Sequence, residues 1–384
     1  MVLRRLDSVC DLTMGQAPVG DSYNTDGVGL PLIAGAGDFG ETYPAAKKFT
    51  TAPGKLCAPG DIVLGIRASI GEKVLADSEY CLGRGVAGLR ARRGLDNRYL
   101  WHWLTGIVPI LAAKSKGATF KQVNREDIGE LTLELPSLGE QRRIAEVLDR
   151  AEALRTKRRA ALAQLDTLTQ SIFLEMFGDP IANPRKWPDS TMLGDVAEVV
   201  SGITKGRRLV GKQSRSVPYL AVSNVQDRAL NLSVIKTIEA SEDEIDRFRL
   251  LPQDLVLTEG GDPDKLGRGT LWKGEIPECI HQNHIFRVRL KTELLHPLFL
   301  NWLIGSERGK RYFMRSAKQT TGIASINMTQ LRAFPLLVPP IELQLAFARK
   351  AGEVDLLVAR HNAALGETNG LFASLQHRAF RGEL

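Results

Sequence analysis

Cysteine is scarce in this chain and none of it is paired by spacing. Four cysteines (Cys10, Cys57, Cys81, Cys279) lie scattered among 384 residues with no Cys-x-x-Cys pair. That pattern excludes a disulfide framework and points to a reducing compartment. Long apolar runs are absent too, so no membrane-spanning helix is expected. The opening Met1-Val2-Leu3-Arg4-Arg5-Leu6-Asp7 lacks the long apolar core of a signal peptide, and a cytoplasmic location is expected.

Catalytic signatures are missing as well. No Gly-rich loop ends in Gly-Lys-Ser or Gly-Lys-Thr. Asn183-Pro184-Arg185-Lys186 begins like a methyltransferase Asn-Pro-Pro-Tyr loop but lacks the second proline and the aromatic. No Glu-x-Lys follows Asp61, Asp254 or Pro263-Asp264 at nuclease-like spacing. The chain reads as non-catalytic, with no cofactor and no metal of its own.

Positive charge is present instead. The formal net charge is +7 and the pI about 9.2, which favours a polyanionic partner. The length exceeds one ordinary core and predicts at least two domains.

Those domains are one design written twice. Leu6-Asp7-Ser8-Val9 and Gly15 recur as Leu193-Gly194-Asp195-Val196 and Gly202. Leu30-Pro31-Leu32-Ile33-Ala34 recurs as Val217-Pro218-Tyr219-Leu220-Ala221, and Pro59-Gly60-Asp61-Ile62-Val63-Leu64 as Pro252-Gln253-Asp254-Leu255-Val256-Leu257. Tyr99-Leu100-Trp101-His102-Trp103-Leu104 faces Leu298-Phe299-Leu300-Asn301-Trp302-Leu303. Leu135-Pro136 with Gln141 faces Val338-Pro339 with Gln344. The offset grows in small steps from 187 to 203 positions, as loop insertions into a duplicated domain would make it.

Within each copy, short β-rich runs such as Asp61 to Ile66 and Ile285 to Leu290 alternate with Gly and Pro. One amphipathic helix is expected at Tyr99 to Leu111 and its counterpart at Leu298 to Met314. A last strand is expected at Leu131 to Leu135 and at Phe334 to Val338. The fold class is α/β of the α+β kind, with a mainly antiparallel or mixed sheet. Trp101, Trp103 and Trp302 read as helix–sheet core and not as base-stacking platforms.

Two long helices complete the pattern. From Glu140 to Met176, Ile144, Leu148, Ala151, Leu154, Leu162, Leu165, Leu168, Ile172 and Met176 fall at spacings that keep one face apolar. Such a helix is about 57 Å long at 1.5 Å per residue. Leu343, Phe347, Val354, Leu357, His361, Leu365, Phe372, Leu375 and Ala379 repeat the stripe. Each helix needs a partner, and the other copy is the nearest, as an antiparallel coiled-coil pair with pseudo-two-fold symmetry. The alternatives are a pair of helices made for another protein, or two ordinary helical hairpins. The domains are read as 1–135, 181–338, and the spacer helices 136–180 and 339–384.

Two other motifs carry less. Gly35-Ala36-Gly37-Asp38-Phe39-Gly40 fits G-x-G-x-x-G, but Glu41-Thr42-Tyr43-Pro44 follows where a helix should open. Cys279, His281 and His284 lack a fourth ligand for zinc, and their counterparts Tyr80, Leu82 and Gly85 carry none.

With the repeat, the tryptophan motifs, the Pro-x-x-x-x-Gln helix starts, Phe177-Gly178-Asp179-Pro180 and the closing Ala379-Phe380-Arg381-Gly382-Glu383-Leu384 in place, the chain closely resembles the DNA-specificity subunit (HsdS) of type I restriction-modification systems. The resemblance covers essentially the whole chain. It implies two target-recognition domains that each read half of a bipartite, asymmetric DNA site at a fixed spacing. It implies a non-catalytic scaffold for two methyltransferase (modification) subunits and for restriction subunits. S-adenosylmethionine, ATP and magnesium would belong to those partners.

Basic and amide residues in Gly-containing loops are the candidate DNA contacts, since Lys and Arg suit phosphates, Arg reads guanine, and Asn and Gln read adenine. In the first copy these are Gln16, Arg67, Ser69, Lys73, Arg84, Lys114, Lys116, Thr119, Lys121 and Gln122. In the second they are Thr204, Lys205, Arg207, Arg208, Lys212, Arg268, Lys273, Gln282, Asn283, Lys318, Gln319 and Thr320. Arg142, Arg143, Arg155 and Arg158 are the candidates for the methyltransferase interface. The competing readings are a self-sufficient methyltransferase or nuclease, and a protein–protein adaptor that does not bind DNA.

Overall fold

The same four-stranded sheet is built twice. In the first copy Cys10–Met14, Val86–Ala91, Ile62–Gly65 and Lys73–Leu75 lie side by side in that order, all antiparallel. In the second, Ala197–Ser201, Ile285–Leu290, Leu255–Thr258 and Gly269–Leu271 repeat the order and the directions. Leu12 faces Leu89 as Val199 faces Val288. A parallel pair adjoins each sheet: Leu32 faces Cys81, and Tyr219 faces Ile280. The computed structural model describes residues 2–116, 121–207, 213–261, 266–320 and 323–384.

The repeated Pro-x-Asp motif has a local cause. Asp61 and Asp254 are buried, 6% and 1% exposed, and each closes its own turn by accepting the N–H of Ala58 or Leu251. Each also takes a two-pronged arginine from the neighbouring strand: Arg90 at 2.7 and 2.8 Å, and Arg289 at 2.7 Å on both prongs. A buried carboxylate without such donors would be strongly destabilising.

The Pro-x-x-x-x-Gln motif is a second device. Gln141 and Gln344 are fully buried. The Gln141 carbonyl accepts Asp96 N–H, and its amide donates to the carbonyls of Gly94 and Pro136. Gln344 does the same with His296 N–H and the carbonyls of Leu294 and Pro339. Each glutamine thus ties the start of a long helix to the loop that opens the short helix Asn97–Gly106 or Pro297–Ile304.

The long helices run Leu138–Phe177 and Ile341–Ala379. The chain divides into two compact units, Met1–Ala161 with His361–Leu384, and Leu162–Arg360. Each unit therefore contains a segment of both long helices as well as one of the two four-stranded sheets. In the first unit Ile144, Leu148 and Ala151 from one helix and Phe372 and Ala379 from the other join a core with Tyr99, Leu100 and Trp103. In the second, Phe173, Phe177 and Phe347 pack with Phe299 and Trp302, ring centroids 4.7 to 5.9 Å apart. Among the described residues no helix is long and apolar enough to cross a membrane.

Three local readings of the sequence are corrected. The expected helix at Tyr99 to Leu111 is two, Asn97–Gly106 and Val108–Ala113, because Pro109 in the first turn of the second starts a new helix. Its counterpart is also two, Pro297–Ile304 and Glu307–Ser316, parted at Gly305 and Ser306. The segment Phe334 to Val338 is not a strand. Its counterpart Thr132–Leu135 pairs with Val2–Arg5, but Pro335 has no N–H to donate and only an isolated bridge to Met192 forms.

One cap holds the loop that carries Arg207. Glu244, at the third position of helix Glu242–Phe248, accepts Ser241 N–H at 3.0 Å and two bonds from Arg207 at 2.6 Å each. The Arg207 bonds chiefly, helped by the Ser241 cap and opposed by burial, hold its carboxyl down to about 2.

Two outcomes follow. Gln141→Leu leaves three backbone groups without a partner and should lower unfolding stability by about 3 kcal/mol, whereas Gln164→Ala on the exposed helix face should stay within about 0.5 kcal/mol; urea unfolding of the full chain measures both. A depressed carboxyl pKa stabilises the fold above the ordinary glutamate pKa of 4.5, and that stability is lost as pH falls towards about 2. Thermal midpoints should drop through this window in the wild type and drop less steeply in Glu244→Gln.

Candidate nucleic-acid interface

In the first unit, glycines bring three turns together. A Cβ on Gly85 would lie 2.2 Å from the Ala34 carbonyl oxygen, and one on Gly15 would lie 2.1 Å from that of Gly83. Only glycine permits these approaches. Gly83 N–H then bonds Ile33 O at 2.8 Å, Gly85 N–H bonds Ala34 O at 3.1 Å, and Ile66 N–H bonds Gly85 O at 3.0 Å. The result is a cleft of about 290 Å³ walled by 34–37, Arg67, Ser69 and Arg84. Among the described residues neither guanidinium meets a carboxylate. Gln16 joins the rim, its N–H on Leu82 O. Val123 N–H bonds Ile66 O at 3.0 Å and returns the loop of Lys116, Lys121 and Gln122 to the same edge. The G-x-G-x-x-G segment is thus a cleft wall with a single 3-10 turn, Ala36–Asp38.

Two candidates of the first unit lie elsewhere, and a third is not among the described residues. Lys73 sits over the Trp101 ring at 4.5 Å and donates to Thr105 Oγ1, facing a helix and not the cleft, because its strand alternates faces. Lys114 caps helix Val108–Ala113. Thr119 lies outside the described residues.

The second unit repeats the framework with other side chains. Glu259 N–H bonds His284 O at 3.0 Å and Ile326 N–H bonds Glu259 O at 2.9 Å, as Ile66, Gly85 and Val123 do in the first. Glu259 and His284 thereby stand where the first unit has Ile66 and Gly85, and their side chains meet at 2.7 Å. Ile203 N–H bonds His281 O and Asn283 N–H bonds Ile203 O, placing Thr204, Lys205, Gln282 and Asn283 at one edge. Strand Lys318–Thr320 pairs with Ile323–Ser325, which pairs with Gly260–Gly261, so Lys318, Gln319 and Thr320 share a small sheet beside that edge.

Other candidates of this unit are already engaged. Arg207 is tied to Glu244 and to Glu239 O, so it braces its loop. Arg268 reaches Gln226 at 3.3 Å beside a separate recess that includes Lys310. Lys273 pairs loosely with Asp355 of a long helix at 3.5 Å, apart from the edge. Arg208 and Lys212 lie outside the described residues. Cys279, His281 and His284 do not converge. The Cys279 thiol bonds Ile280 O and burial pushes it up to about 12, while His281 Nδ1 meets Ile285 O.

The helix arginines separate in the same way. Arg142 is exposed, 3.7 Å from Asp96, and Arg143 pairs with Glu140 and donates to Leu384 O. Arg155 is not on an outer face. Its guanidinium lies 4.4 Å from the Phe372 ring centroid and donates to Asn369, because its position on the helix turns it towards the second long helix within the unit. Arg158 is half-buried, its Nε without a partner. The Glu259–His284 pair escaped the sequence reading; its signal was the repeat offset, which places Glu259 next to the counterpart of Arg67.

Residues 1–164 match the family model described as the type I restriction modification DNA specificity domain. The MjaX type I restriction enzyme specificity subunit of Methanocaldococcus jannaschii is 32% identical over 162 residues, covering 42% of this chain and 38% of that protein. The StySPI specificity subunit of Salmonella potsdam is 23% identical over 354 residues, covering 85% of this chain and 75% of that protein. The crystal structure of the type I restriction-modification system S subunit from M. genitalium shares the fold, with 15% identity, 99% of this chain and 96% of that chain covered, and a TM-score of 0.59. Residues 1–164 thus match the type I restriction modification DNA specificity domain, and the chain as a whole shares the fold of an S subunit.

Proposed function

We propose that this chain is the non-catalytic DNA reader of a type I restriction-modification complex, and that its two units read two different half-sites. The observation that carries the reading is one strand framework with two different edges. The first unit offers Arg67 and Arg84, unpaired with any acid among the described residues. The second offers Gln282 and Asn283 beside Glu259–His284. Guanidinium groups suit guanine and phosphate, whereas amides and a carboxylate suit adenine and cytosine amino groups. The bipartite target is therefore asymmetric, and the long helices set the number of unread base pairs between its halves, since an unbroken helix is stiff and of fixed length. Leu154, Leu168, Leu356 and Leu371 leave apolar surface exposed on those helices, which suits modification subunits as partners. Arg142, Arg143 and Arg158 belong to the same proposed interface. S-adenosylmethionine, ATP and magnesium are assigned to the partner subunits.

Methylome sequencing with and without the gene gives the target. On that target, affinity of the assembled complex should fall steeply with salt, and Arg67→Ala or Arg84→Ala should each reduce the log–log salt slope by about 1 for a phosphate contact, or cost about 1–3 kcal/mol at one base pair for a base contact. Salt-independent binding favours a protein–protein adaptor, and tight S-adenosylmethionine binding by the isolated chain favours a self-sufficient methyltransferase. Insertion of one helical turn into both long helices should lengthen the unread spacer and leave both half-sites unchanged; altered half-sites would refute the spacing role. Exchange of the first sheet unit should alter one half-site only.

A further inference from the structure

A cavity of about 570 Å³ lies in the first unit, between strand Lys73–Leu75, helix Asn97–Gly106 and segments of both long helices. It shares no wall residue with the Arg67–Arg84 cleft. Most of its charges are paired already. His102 Nε2 and Arg98 both bond Asp149, at 2.7 and 3.1 Å, and burial lowers the His102 pKa, which favours the neutral ring. Arg155 and Arg159 both reach Glu152. Besides these two clusters, Glu41 adds one more charge to the wall.

The Lys73 ammonium is different. It has three N–H donors and bonds one acceptor, Thr105 Oγ1 at 2.7 Å, with the Trp101 ring 4.5 Å away. Among the described residues no carboxylate lies within ion-pair distance of it. Burial pushes the amine down to about 8, against a weaker opposing pull from Glu152.

The second unit serves as an internal control. At the repeat positions of Lys73, Trp101, Thr105 and Asp149 it carries Gly269, Leu300, Ile304 and Gly352. At those positions the second unit carries no cation, so the framework does not require the Lys73 set; its own desolvated cations, Arg228 over the Trp302 ring at 3.8 Å and Arg287 on Glu198, come from other positions. A half-buried ammonium with open donors is costly unless something completes it.

We propose that this cavity is a binding site for a carboxylate, with Lys73 as its counter-ion and Trp101 and Phe372 as the apolar wall for the hydrocarbon part of the ligand. The carboxylate belongs either to a free organic acid or to an acidic side chain of a protein partner. The cavity and its benzoate test do not depend on the DNA reading; only the partner arm of the test rests on the proposed function.

Sodium benzoate, titrated calorimetrically into the full chain at pH 7, is the probe. One equivalent should bind, and because the acceptor is protonated Lys73, affinity should fall about tenfold between pH 7 and pH 9, given an amine that titrates at about 8. Lys73→Met should abolish this binding, and Lys73→Arg should keep binding without the pH dependence. Unfolding midpoints check that both variants fold, and the wild-type pH profile needs no variant. If a partner supplies the carboxylate, Lys73→Met also weakens association with the modification subunits; if a free acid is the ligand, association is unchanged. Either result supports the site. Benzoate binding that is equal in wild type and Lys73→Met overturns it, as does no binding at all together with unchanged association.

Discussion

A buried primary amide at the start of each long helix holds the rest of the structure in register. Gln141 and Gln344 each join a helix start to the loop before a short helix, using both donors and the acceptor of one uncharged group. No other side chain of that size offers two donors and an acceptor without a charge to desolvate. Fixing the helix start fixes which face of the helix meets the unit. In the first unit that face carries Ile144 and Leu148 into the core. In the second it carries Phe347 against Phe173 and Phe177. The buried Asp–Arg pairs do the corresponding work inside each sheet, binding a turn to its neighbouring strand.

On that frame the two sheet edges are free to differ. Backbone bonds from Ile66 and from Glu259 place the same three chain segments together in both units. Gly15 and Gly202 each permit a close approach to the neighbouring segment, at positions one residue apart in the repeat: a Cβ on Gly15 would lie 2.1 Å from Gly83 O, and one on Gly202 1.9 Å from the oxygen of His281, the counterpart of Leu82. What changes is chemistry: arginines stand at one edge, and a carboxylate–imidazole pair with amides at the other. A scaffold that is satisfied by its backbone can accept such substitutions at little cost to folding, which is consistent with the two different half-sites proposed above.

Much of the fold was legible from the residues. The repeat shows because duplicated frameworks keep their hydrophobic and turn positions, and the long helices show because one apolar stripe persists over ten turns. Breaks at Pro109 and at Gly305 and Ser306 were misread because apolar spacing continues across them. The site was less legible. Lys73, Arg67 and Arg207 look alike as basic residues near glycines, yet one lines a cavity, one opens on a cleft and one braces a capped helix. Their partners, Thr105 and Glu244, lie 32 and 37 positions away, so no local pattern could distinguish them.

The sequence by itself determined the duplication, the two long helices, the basic balance and the family resemblance, because these depend on periodicity, spacing and composition. Tertiary structure alone decided the fate of each charge. Whether a cation is spent on a carboxylate, laid on a ring as Arg155 is on Phe372, or left with open donors as Lys73 is, depends on which distant segment folds beside it. Desolvation and pairing are properties of that neighbourhood, and the chain order does not contain them.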